Sequence, residues 1–390
     1  MMYLIKGAHV YAPEDTGVKD VLIGGGKILK IAEELPVEAA YGVEVIDGTD
    51  KILTPGFIDP HVHILGGGGE GGPKTRTPEI MLSDIVSAGV TTVVGCLGTD
   101  GCTRTMTNLI AKAQGLEEEG ITTYVYTGSY QVPVRTLTGS IMDDIILLEK
   151  VIGTGEIAIS DHRSSQPTQE DFSKIVADTR VGGILAGKAG IVNVHMGDGK
   201  EMLSYLRHVL ENTQIPAANM LPTHINRNDC LLQDGLDYAK NCGGYIDLTT
   251  SMDPSQPGDD GVKASTALKM ALDAGVPVAH ITFSSDGQGS LPVFNAAGEF
   301  IGLGVGKVKS LYEEMKAAVL EEGITLEDAL KPVTSNTADC LILTSKGRVL
   351  ENADADLVLL DQGTLEIDTV FAKGQKMFAD KKLLVKGTFE

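Results

Sequence analysis

Short apolar runs alternate with amphipathic stretches through the middle of the chain. The stretches between the runs, such as EIMLSDIVSAG, repeat their apolar positions with helical spacing. Strands that alternate with helices predict a parallel sheet, and eight such units match a (β/α)8 TIM-type barrel in the α/β class. The eight runs are ILTPGFID (52–59), VTTVVGCLG (90–98), TTYVYTGSY (122–130), EIAISD (156–161), IVNVHMG (191–197), LPTHI (221–225), YIDLTTS (245–251) and ITFSSDG (281–287).

Both chain ends carry a different pattern, because strand-like runs there are split by Gly and Pro without helical spacing. Each end alone is small for a stable fold. We therefore predict one small composite β domain (1–54 plus 347–390) beside a metal-binding catalytic barrel (55–346). A doubly wound open sheet is the competing architecture. It is disfavoured because the Gly-rich run GGGGEGG (66–72) follows an HxH pair and lacks the spacing of a dinucleotide fingerprint.

Charge and cysteine content narrow the functional class. The formal net charge is −21, and an acidic surface repels phosphate backbones, so we expect no nucleic-acid partner. The five cysteines include no CxxC pair, which disfavours a disulfide framework and favours a reducing compartment. The first 15 residues resemble neither a signal peptide nor a membrane span. A cytoplasmic protein with no membrane partner is therefore expected.

Histidines and one aspartate follow the predicted strands, at the ends where a TIM-type barrel places its active site. His61 and His63 form an HxH pair, and residues two apart in an extended segment point the same way. An isolated HxH pair would be read as surface loop histidines. Here His195, His224 and Asp286 follow later strands, so four of the eight histidines stand at predicted strand ends. This set indicates a metal site.

The order of these residues resembles the amidohydrolase superfamily, and the similarity extends along the whole chain. The more specific resemblance is to the isoaspartyl (β-aspartyl) dipeptidases. An HxH pair alone is a weak signal, but several longer stretches together are specific. They are FIDPHVHILGGGGEGGPKTRTPE, GSYQVPVRTLTGS, AISDHRS, HMGD, LPTHINRN and SSDGQGS.

The resemblance implies metal-dependent hydrolysis of β-aspartyl dipeptides. It implies two zinc ions bridged by a hydroxide, the first held by His61, His63 and Asp286 and the second by His195 and His224. Zinc is the default for such ligands, although manganese, cobalt or iron could occupy them.

Two residues have further roles by the same resemblance. Asp286 would accept the proton of the bridging hydroxide and pass it to the leaving amine. Tyr130 would hydrogen-bond the developing oxyanion.

The chain departs from the family at the bridging position on the fourth strand. The family usually has a lysine carboxylated on its side-chain nitrogen there, and the matching residue in this chain is Glu156. A glutamate is already a carboxylate, so we predict that Glu156 bridges the two metals. It is shorter, so the fourth strand must lie closer to the metals or the second metal is held less tightly. Asp161 is a weaker candidate, because its side chain should point to the opposite face of the strand.

A β-aspartyl dipeptide carries one ammonium group and two carboxylates near its scissile bond. The resemblance implies that Glu70 binds the ammonium group and that Arg163 and Arg227 bind the carboxylates, which guanidinium groups grip in a bidentate way. Thr99 and Ser290 match further hydrogen-bonding positions. Which arginine takes which carboxylate stays open.

Other functions share parts of this pattern. A cyclic amidase, such as a dihydroorotase or hydantoinase, or an N-acyl amino acid deacylase would use the same metal core. A neutral cyclic substrate would not need two carboxylate-binding arginines. A non-catalytic scaffold relative is a further alternative. The presence of His61, His63, His195, His224 and Asp286 disfavours it, whereas the change at Glu156 keeps it open. The resemblance also suggests a homo-oligomer of undetermined size.

Overall fold

The computed structural model describes residues 1–36, 42–255, 260–295 and 300–390. The chain begins with five strands, β1 (Met2–Tyr11), β2 (Asp15–Gly24), β3 (Lys27–Ala32), β4 (Val43–Asp47) and β5 (Lys51–Pro55). Eight strands follow through the middle, β6 (Phe57–Val62), β7 (Val90–Gly95), β8 (Thr122–Thr127), β9 (Val151–Ile159), β10 (Ile191–Met196), β11 (Met220–Thr223), β12 (Ile246–Thr249) and β13 (Ile281–Ser284). A hairpin and four closing strands complete the set, β14 (Ser290–Phe294), β15 (Phe300–Val305), β16 (Leu357–Asp361), β17 (Ile367–Ala372), β18 (Gln375–Ala379) and β19 (Lys382–Leu383).

Helices separate the middle strands, as the amphipathic stretches predict. They are α1 (Leu82–Val86), α2 (Met106–Glu118), α3 (Ile141–Leu147), α4 (Gln169–Ala186), α5 (Ser204–Asn212), α6 (Asp229–Cys242) and α7 (Ala264–Asp273). Three more helices follow β15, namely α8 (Lys309–Leu320), α9 (Leu326–Leu330) and α10 (Ser335–Cys340). The ends of α4 show how the local sequence sets a boundary. Thr168 and Asp171 form a reciprocal capping box at its start, and Gly187 adopts a left-handed conformation (φ 66°) at its end.

The middle strands form a curled parallel arrangement. Six of them make one parallel sheet in the order β11-β10-β9-β8-β7-β6, and β12 pairs with β13 in parallel. The first strand also meets the segment after the last one. Val62 forms a bridge with Gly287, and the His63 N–H donates to the Gly287 carbonyl oxygen at 2.9 Å. The carboxyl ends of the strands therefore surround one common region.

The two chain ends share a second sheet. Its order is β19-β18-β17-β16-β5-β1-β2-β3, with β4 paired to β1, so the four C-terminal strands lie beside the N-terminal strands and meet them where β16 pairs with β5. The register of β5 against β16 places Leu53 opposite Leu359, and both residues are fully buried. Burial of such apolar pairs holds the two ends together.

Apolar side chains fill the interior of the middle strands below their carboxyl ends. Ile58, Val94, Tyr126, Ile152 and Leu221 belong to this interior cluster, and each is at most 3% exposed. Polar groups replace them where the strands end. Among the described residues, no helix combines the length and the apolar composition needed to cross a membrane.

Candidate metal centre and substrate pocket

The six residues predicted as metal ligands meet at the carboxyl ends of the middle strands. His61, Glu156 and His195 lie in β6, β9 and β10, while the other three come one or two residues after the end of a strand. The imidazoles and Glu156 are at most 6% exposed, and the Asp286 side chain is 15% exposed. The six residues are His61, His63, Glu156, His195, His224 and Asp286.

Glu156 lies at the centre of this group. Its Oε1 atom is 2.6 Å from His195 Nδ1 and 3.2 Å from His224 Nε2. Its Oε2 atom is 3.5 Å from His61 Nε2 and 3.8 Å from His63 Nε2. One carboxylate oxygen thus faces each pair of histidines, which is the arrangement a bridging ligand requires.

The donor set fits a divalent metal ion. Among the described residues, Glu156 belongs to both groups whose ligand atoms all lie within 4.8 Å of one another, one with His61, His63 and Cys96 and one with His195 and His224. The Oε2 atom of Glu156 is buried and accepts no hydrogen bond within the described part of the chain. A buried carboxylate oxygen without a partner is unfavourable unless a cation lies beside it.

The backbone of β9 brings Glu156 towards the histidines. Val192 pairs with Thr154 but Val194 pairs with Ile157, so β9 has an extra residue between these pairs, as in a β-bulge. Gly155 adopts φ 154°, and a Cβ there would lie 2.8 Å from the Asn193 carbonyl oxygen. A residue with a side chain could not approach β10 so closely. This close approach is consistent with the shorter reach of glutamate.

Asp161 corrects one expectation. Its Oδ2 atom is 2.9 Å from His195 Nε2, so its side chain points into the site rather than to the opposite face. Simple strand alternation fails between Glu156 and Asp161 because the strand is irregular and Ser160 adopts a left-handed conformation (φ 53°). Asp161 also accepts two hydrogen bonds from the Arg163 guanidinium group, so it orients the side chains of both His195 and Arg163.

Two ligand residues have left-handed backbones. His224 has φ 64° and Asp286 has φ 51°. Residues other than glycine rarely adopt this conformation, and each instance costs about 1–3 kcal/mol. The surrounding hydrogen bonds hold them in place. For example, the other ring nitrogen of His224, Nδ1, lies 2.7 Å from Thr249 Oγ1.

The charges of the buried ligand side chains favour a cation between them. Burial opposes charging of His61, but Cys96 and Glu156 outweigh burial and raise the pKa of His61 well above its usual value. Burial likewise opposes ionisation of Glu156, yet His61 and His195 hold its pKa well below the usual range. A group of buried anions that raises the pKa of an imidazole will also bind a cation.

Three further side chains have shifted pKa values that fix their protonation states at neutral pH. Burial lowers the pKa of His224 to about 3, so its imidazole is neutral and can ligate a metal. Burial would raise the pKa of Asp286, but His63, His224 and His61 together outweigh burial and lower it to about 2. Burial, followed by the charge of Glu156, raises the pKa of Tyr130 well above its usual value, so its phenol stays protonated.

Tyr130 and the predicted charged residues lie around the metal ligands. The Tyr130 hydroxyl is 2.8 Å from His195 Nδ1, and the Arg163 guanidinium lies 5.4 Å from the centre of its ring. Arg163 Nη1 is 3.6 Å from Glu70 Oε1, and Thr99 donates to the same oxygen at 2.8 Å. The structure therefore brings one anionic and one cationic side chain together beside the histidines.

The two remaining predicted residues border the same region. Arg227 follows His224 closely, and its Nε–H donates to the Met196 carbonyl oxygen at the end of β10. Ser290 begins β14, and a Cβ at Gly68 would lie 3.0 Å from the Ser290 Cβ atom, so the Gly-rich loop passes directly beside it. His162, which follows Asp161 after the fourth middle strand, lies outside this site. Its side chain is 90% exposed, and it is in neither group of possible metal ligands among the described residues.

Comparison with known proteins agrees with this geometry. The sequence profile of the amidohydrolase family matches residues 52–389. The chain belongs to the amidohydrolase family. Within that family, the structure of the β-aspartyl dipeptidase from thermophilic keratin-degrading Fervidobacterium islandicum AW-1 in complex with β-Asp-Leu dipeptide superposes with a TM-score of 0.91. It is 48% identical, with 98% of this chain and 97% of that chain covered.

Other amidohydrolases are more distant. A dihydroorotase from Listeria monocytogenes serotype 4a (strain HCC23) is 26% identical, with 96% of this chain and 93% of the relative covered. A D-hydantoinase structure shares the fold, with a TM-score of 0.70 and 17% identity over 100% of this chain and 98% of that chain.

Several residues of this amidohydrolase site were not predicted from the sequence. Cys96 stands in an apolar run that resembles a core strand, yet its Sγ atom is 3.5 Å from His61 Nε2. Asn193 and Thr249 are ordinary polar strand residues, but each contacts the outer ring nitrogen of a histidine. Asn193 stands two residues before His195, and Thr249 lies in the strand after His224. These positions are the only feature of the sequence that could have identified the two residues.

Proposed function

We propose that this amidohydrolase cleaves β-aspartyl dipeptides with the help of two metal ions, for which we assign zinc. The observation that carries the proposal is Glu156, whose two carboxylate oxygens face two separate histidine pairs. The 48% identity to a β-aspartyl dipeptidase that binds β-Asp-Leu supports the substrate class.

The proposed metal sites use the chain's own donors. His61, His63 and Asp286 would hold one ion, His195 and His224 the other, with Glu156 between them. Bound divalent ions would polarise the scissile carbonyl and lower the pKa of an attacking water to about 7.

Asp286 is proposed to move the proton. Its carboxylate is ionised at neutral pH, since its pKa is lowered to about 2, and its Oδ1 atom lies 3.0 Å from His63 Nε2. It would accept the proton of the attacking water and return it to the leaving amine nitrogen. Tyr130, whose phenol stays protonated, would donate a hydrogen bond to the carbonyl oxygen as negative charge develops on it.

The charges of the pocket match those of a zwitterionic dipeptide. Glu70 is proposed to bind the α-ammonium group, and Arg163 with Arg227 the two carboxylates. Glu70 and Arg163 lie 3.6 Å apart and partly neutralise each other. Thr99 holds Glu70 in place through its hydroxyl, and Ser290 would add a hydrogen bond from the neighbouring loop.

We also infer that the eight middle strands form a closed (β/α)8 barrel (55–346) and that 1–54 plus 347–390 form a composite β domain. The bridge between Val62 and Gly287 supports closure of the barrel, and the shared terminal sheet supports the second domain.

We also propose that the protein is a cytoplasmic homo-oligomer. Leu147 on α3 and Ile184 on α4 are 68% and 62% exposed, which supports an apolar subunit interface. Measurement of the molar mass in solution tests the oligomeric state.

The deciding experiment compares kcat/KM for β-Asp-Leu and α-Asp-Leu with the zinc-loaded full chain. We expect a strong preference for the β isomer, because only in that isomer do the ammonium group and the free carboxylate share one carbon, two bonds from the scissile carbonyl carbon. In the α isomer the ammonium group is on the carbon next to the scissile carbonyl, where Glu70 and the arginines would not meet both charges together. Dihydroorotate and a hydantoin serve as test substrates for the cyclic amidase alternative, which the full-length dihydroorotase similarity keeps in view. Turnover of a cyclic amide with neither dipeptide cleaved would overturn the proposal.

A further inference from the structure

Cys96 lies beside the histidines of the first strand. It follows β7 directly, it is fully buried, and its N–H donates to the Val62 carbonyl oxygen at 3.1 Å. A Cβ at Gly95 would point at Ile64 and Leu109 of α2, outside the ring of strands. Because neighbouring strand residues face opposite ways, the Cys96 side chain faces the interior.

The sulfur atom is spaced as a metal ligand would be. Cys96 Sγ is 3.5 Å from His61 Nε2 and 3.7 Å from His63 Nδ1. His61 Nε2 is also 3.5 Å from Glu156 Oε2. Two ligand atoms that share one zinc ion, with bonds of about 2.0–2.3 Å that do not point in opposite directions, lie about 3–4 Å apart. The distances around His61 Nε2 match this separation.

Asn193 determines which ring nitrogen of His61 can bind a metal. The Asn193 Oδ1 atom is 3.0 Å from His61 Nδ1 and can only accept, so Nδ1 carries the proton. Nε2 is then the ring nitrogen that can bind a metal, and it faces the Cys96 sulfur and the Glu156 carboxylate. A histidine that donates its outer N–H to an oxygen is the usual arrangement around a protein-bound metal.

We propose that Cys96 is a thiolate ligand of the metal position formed by His61, His63 and Glu156. This inference rests on the proposed metal-dependent function. When the metal binds, the S–H bond breaks, a metal–sulfur bond forms and the proton leaves to solvent. Since thiolates prefer zinc to magnesium or manganese, Cys96 would make this position selective for zinc.

Cys340 provides a matched control. It is 5% exposed and packs in the same interior apolar cluster as Cys96. Within the described residues, it belongs to neither group of ligands that could hold a metal. Replacing either cysteine with serine removes the same atom from the same apolar interior, but only one replacement should change the metal site.

Zinc-edge X-ray absorption of the zinc-loaded full chain tests the proposal. We expect a sulfur shell at about 2.3 Å in the wild type and in Cys340→Ser, and its loss in Cys96→Ser. A wild-type spectrum with only nitrogen and oxygen ligands would overturn the proposal, and this result does not depend on whether Cys96→Ser folds. Cobalt loading gives a second reading, because a thiolate ligand adds a sulfur-to-cobalt charge-transfer band that Cys96→Ser should lose.

Hydrolysis of β-Asp-Leu by the same samples separates this inference from the proposed function. A sulfur shell without hydrolysis supports Cys96 as a ligand and contradicts the substrate assignment. Hydrolysis with only nitrogen and oxygen ligands supports the function and overturns the role of Cys96. Failure to bind zinc would overturn both.

Discussion

Two clusters of buried charged side chains lie at opposite ends of the middle strands. One is the candidate metal centre, at the carboxyl ends. The other surrounds Lys346 at the amino ends, where Thr122 begins β8. Both clusters contain carboxylates in an apolar interior, but they differ in how completely their polar atoms are paired.

The Lys346 cluster is complete without a ligand. The Lys346 ammonium group lies 2.5 Å from Asp356 Oδ2, 3.0 Å from Asp354 Oδ2 and 2.7 Å from Thr122 Oγ1, so all three of its protons have acceptors. The other oxygen of Asp356 accepts from the Lys373 N–H at 2.6 Å. This cluster joins the chain's last segment to the middle strands.

The candidate metal centre is incomplete in comparison. Glu156 Oε2 accepts no hydrogen bond within the described ranges, and it faces His61 Nε2 at 3.5 Å. The difference teaches how to distinguish a structural charge cluster from a binding site. A structural cluster balances its own charges, whereas a site keeps a surplus of acceptors for the cation that it binds.

Removing the Glu156 carboxylate should have the largest effect on metal binding and activity. Glu156→Ala takes away the carboxylate that faces both histidine pairs, so we expect bound zinc to fall from two equivalents to one or fewer, with most activity lost. Elemental analysis after gel filtration measures the stoichiometry. Glu118→Ala, on the exposed surface of α2, serves as the control. Two equivalents retained in Glu156→Ala would show that Glu156 does not bridge.

Asp286→Asn tests the proton transfer with little change in shape. We expect kcat to fall by about 10²–10⁴-fold while the dipeptide still binds, because an amide cannot accept the proton. Steady-state kinetics and equilibrium binding of β-Asp-Leu provide the two measurements. Asp198→Asn, in an exposed loop, is the matched control. Near-normal kcat in Asp286→Asn would remove Asp286 as the proton acceptor.

Lys346→Met should affect stability and spare the site. The substitution leaves Asp356 buried without its counter-charge, so we expect the free energy of unfolding to fall by about 3–5 kcal/mol. Lys174→Met, which breaks an exposed pair with Asp178 on α4, should change it by about 0.5 kcal/mol or less. Urea denaturation measures both variants. Equal stability of the two would mean that the Lys346 cluster is not structural.

Thr249→Val should have the smallest effect. It preserves the shape of the side chain but removes the oxygen that lies 2.7 Å from His224 Nδ1. We expect zinc affinity to fall by about 10–100-fold, because the imidazole loses the partner that orients it. Competition with a chromophoric chelator gives the affinity. Thr250→Val, whose hydroxyl contacts Ser284 and Ser310 instead, should bind zinc like the wild type.

Sequence patterns predicted the parts of this molecule that depend on local regularity. Each of the eight apolar runs overlaps a middle strand, because alternating apolar strands and amphipathic helices have distinct periods. The histidines and Asp286 were located by their positions after those strands. The alternation rule failed at Asp161, since it assumes a regular strand and β9 is irregular before it.

Contacts across strands explain the other misses. Cys96 resembles a core residue in VTTVVGCLG, and only the register of β7 against β6 places its sulfur beside His61. Asn193 and Thr249 are similar cases, because the partner of each lies on a different strand. The hairpin of β14 and β15 was also not predicted, although it follows Asp286 directly.

The glutamate on β9 has a consequence for how the metal centre forms. A carboxylated lysine exists only after its amine has reacted with dissolved carbon dioxide, so a centre built on it depends on bicarbonate during assembly. Glu156 carries its carboxylate from the moment of translation. Loading of this protein with zinc should therefore proceed equally fast in carbon dioxide-free buffer.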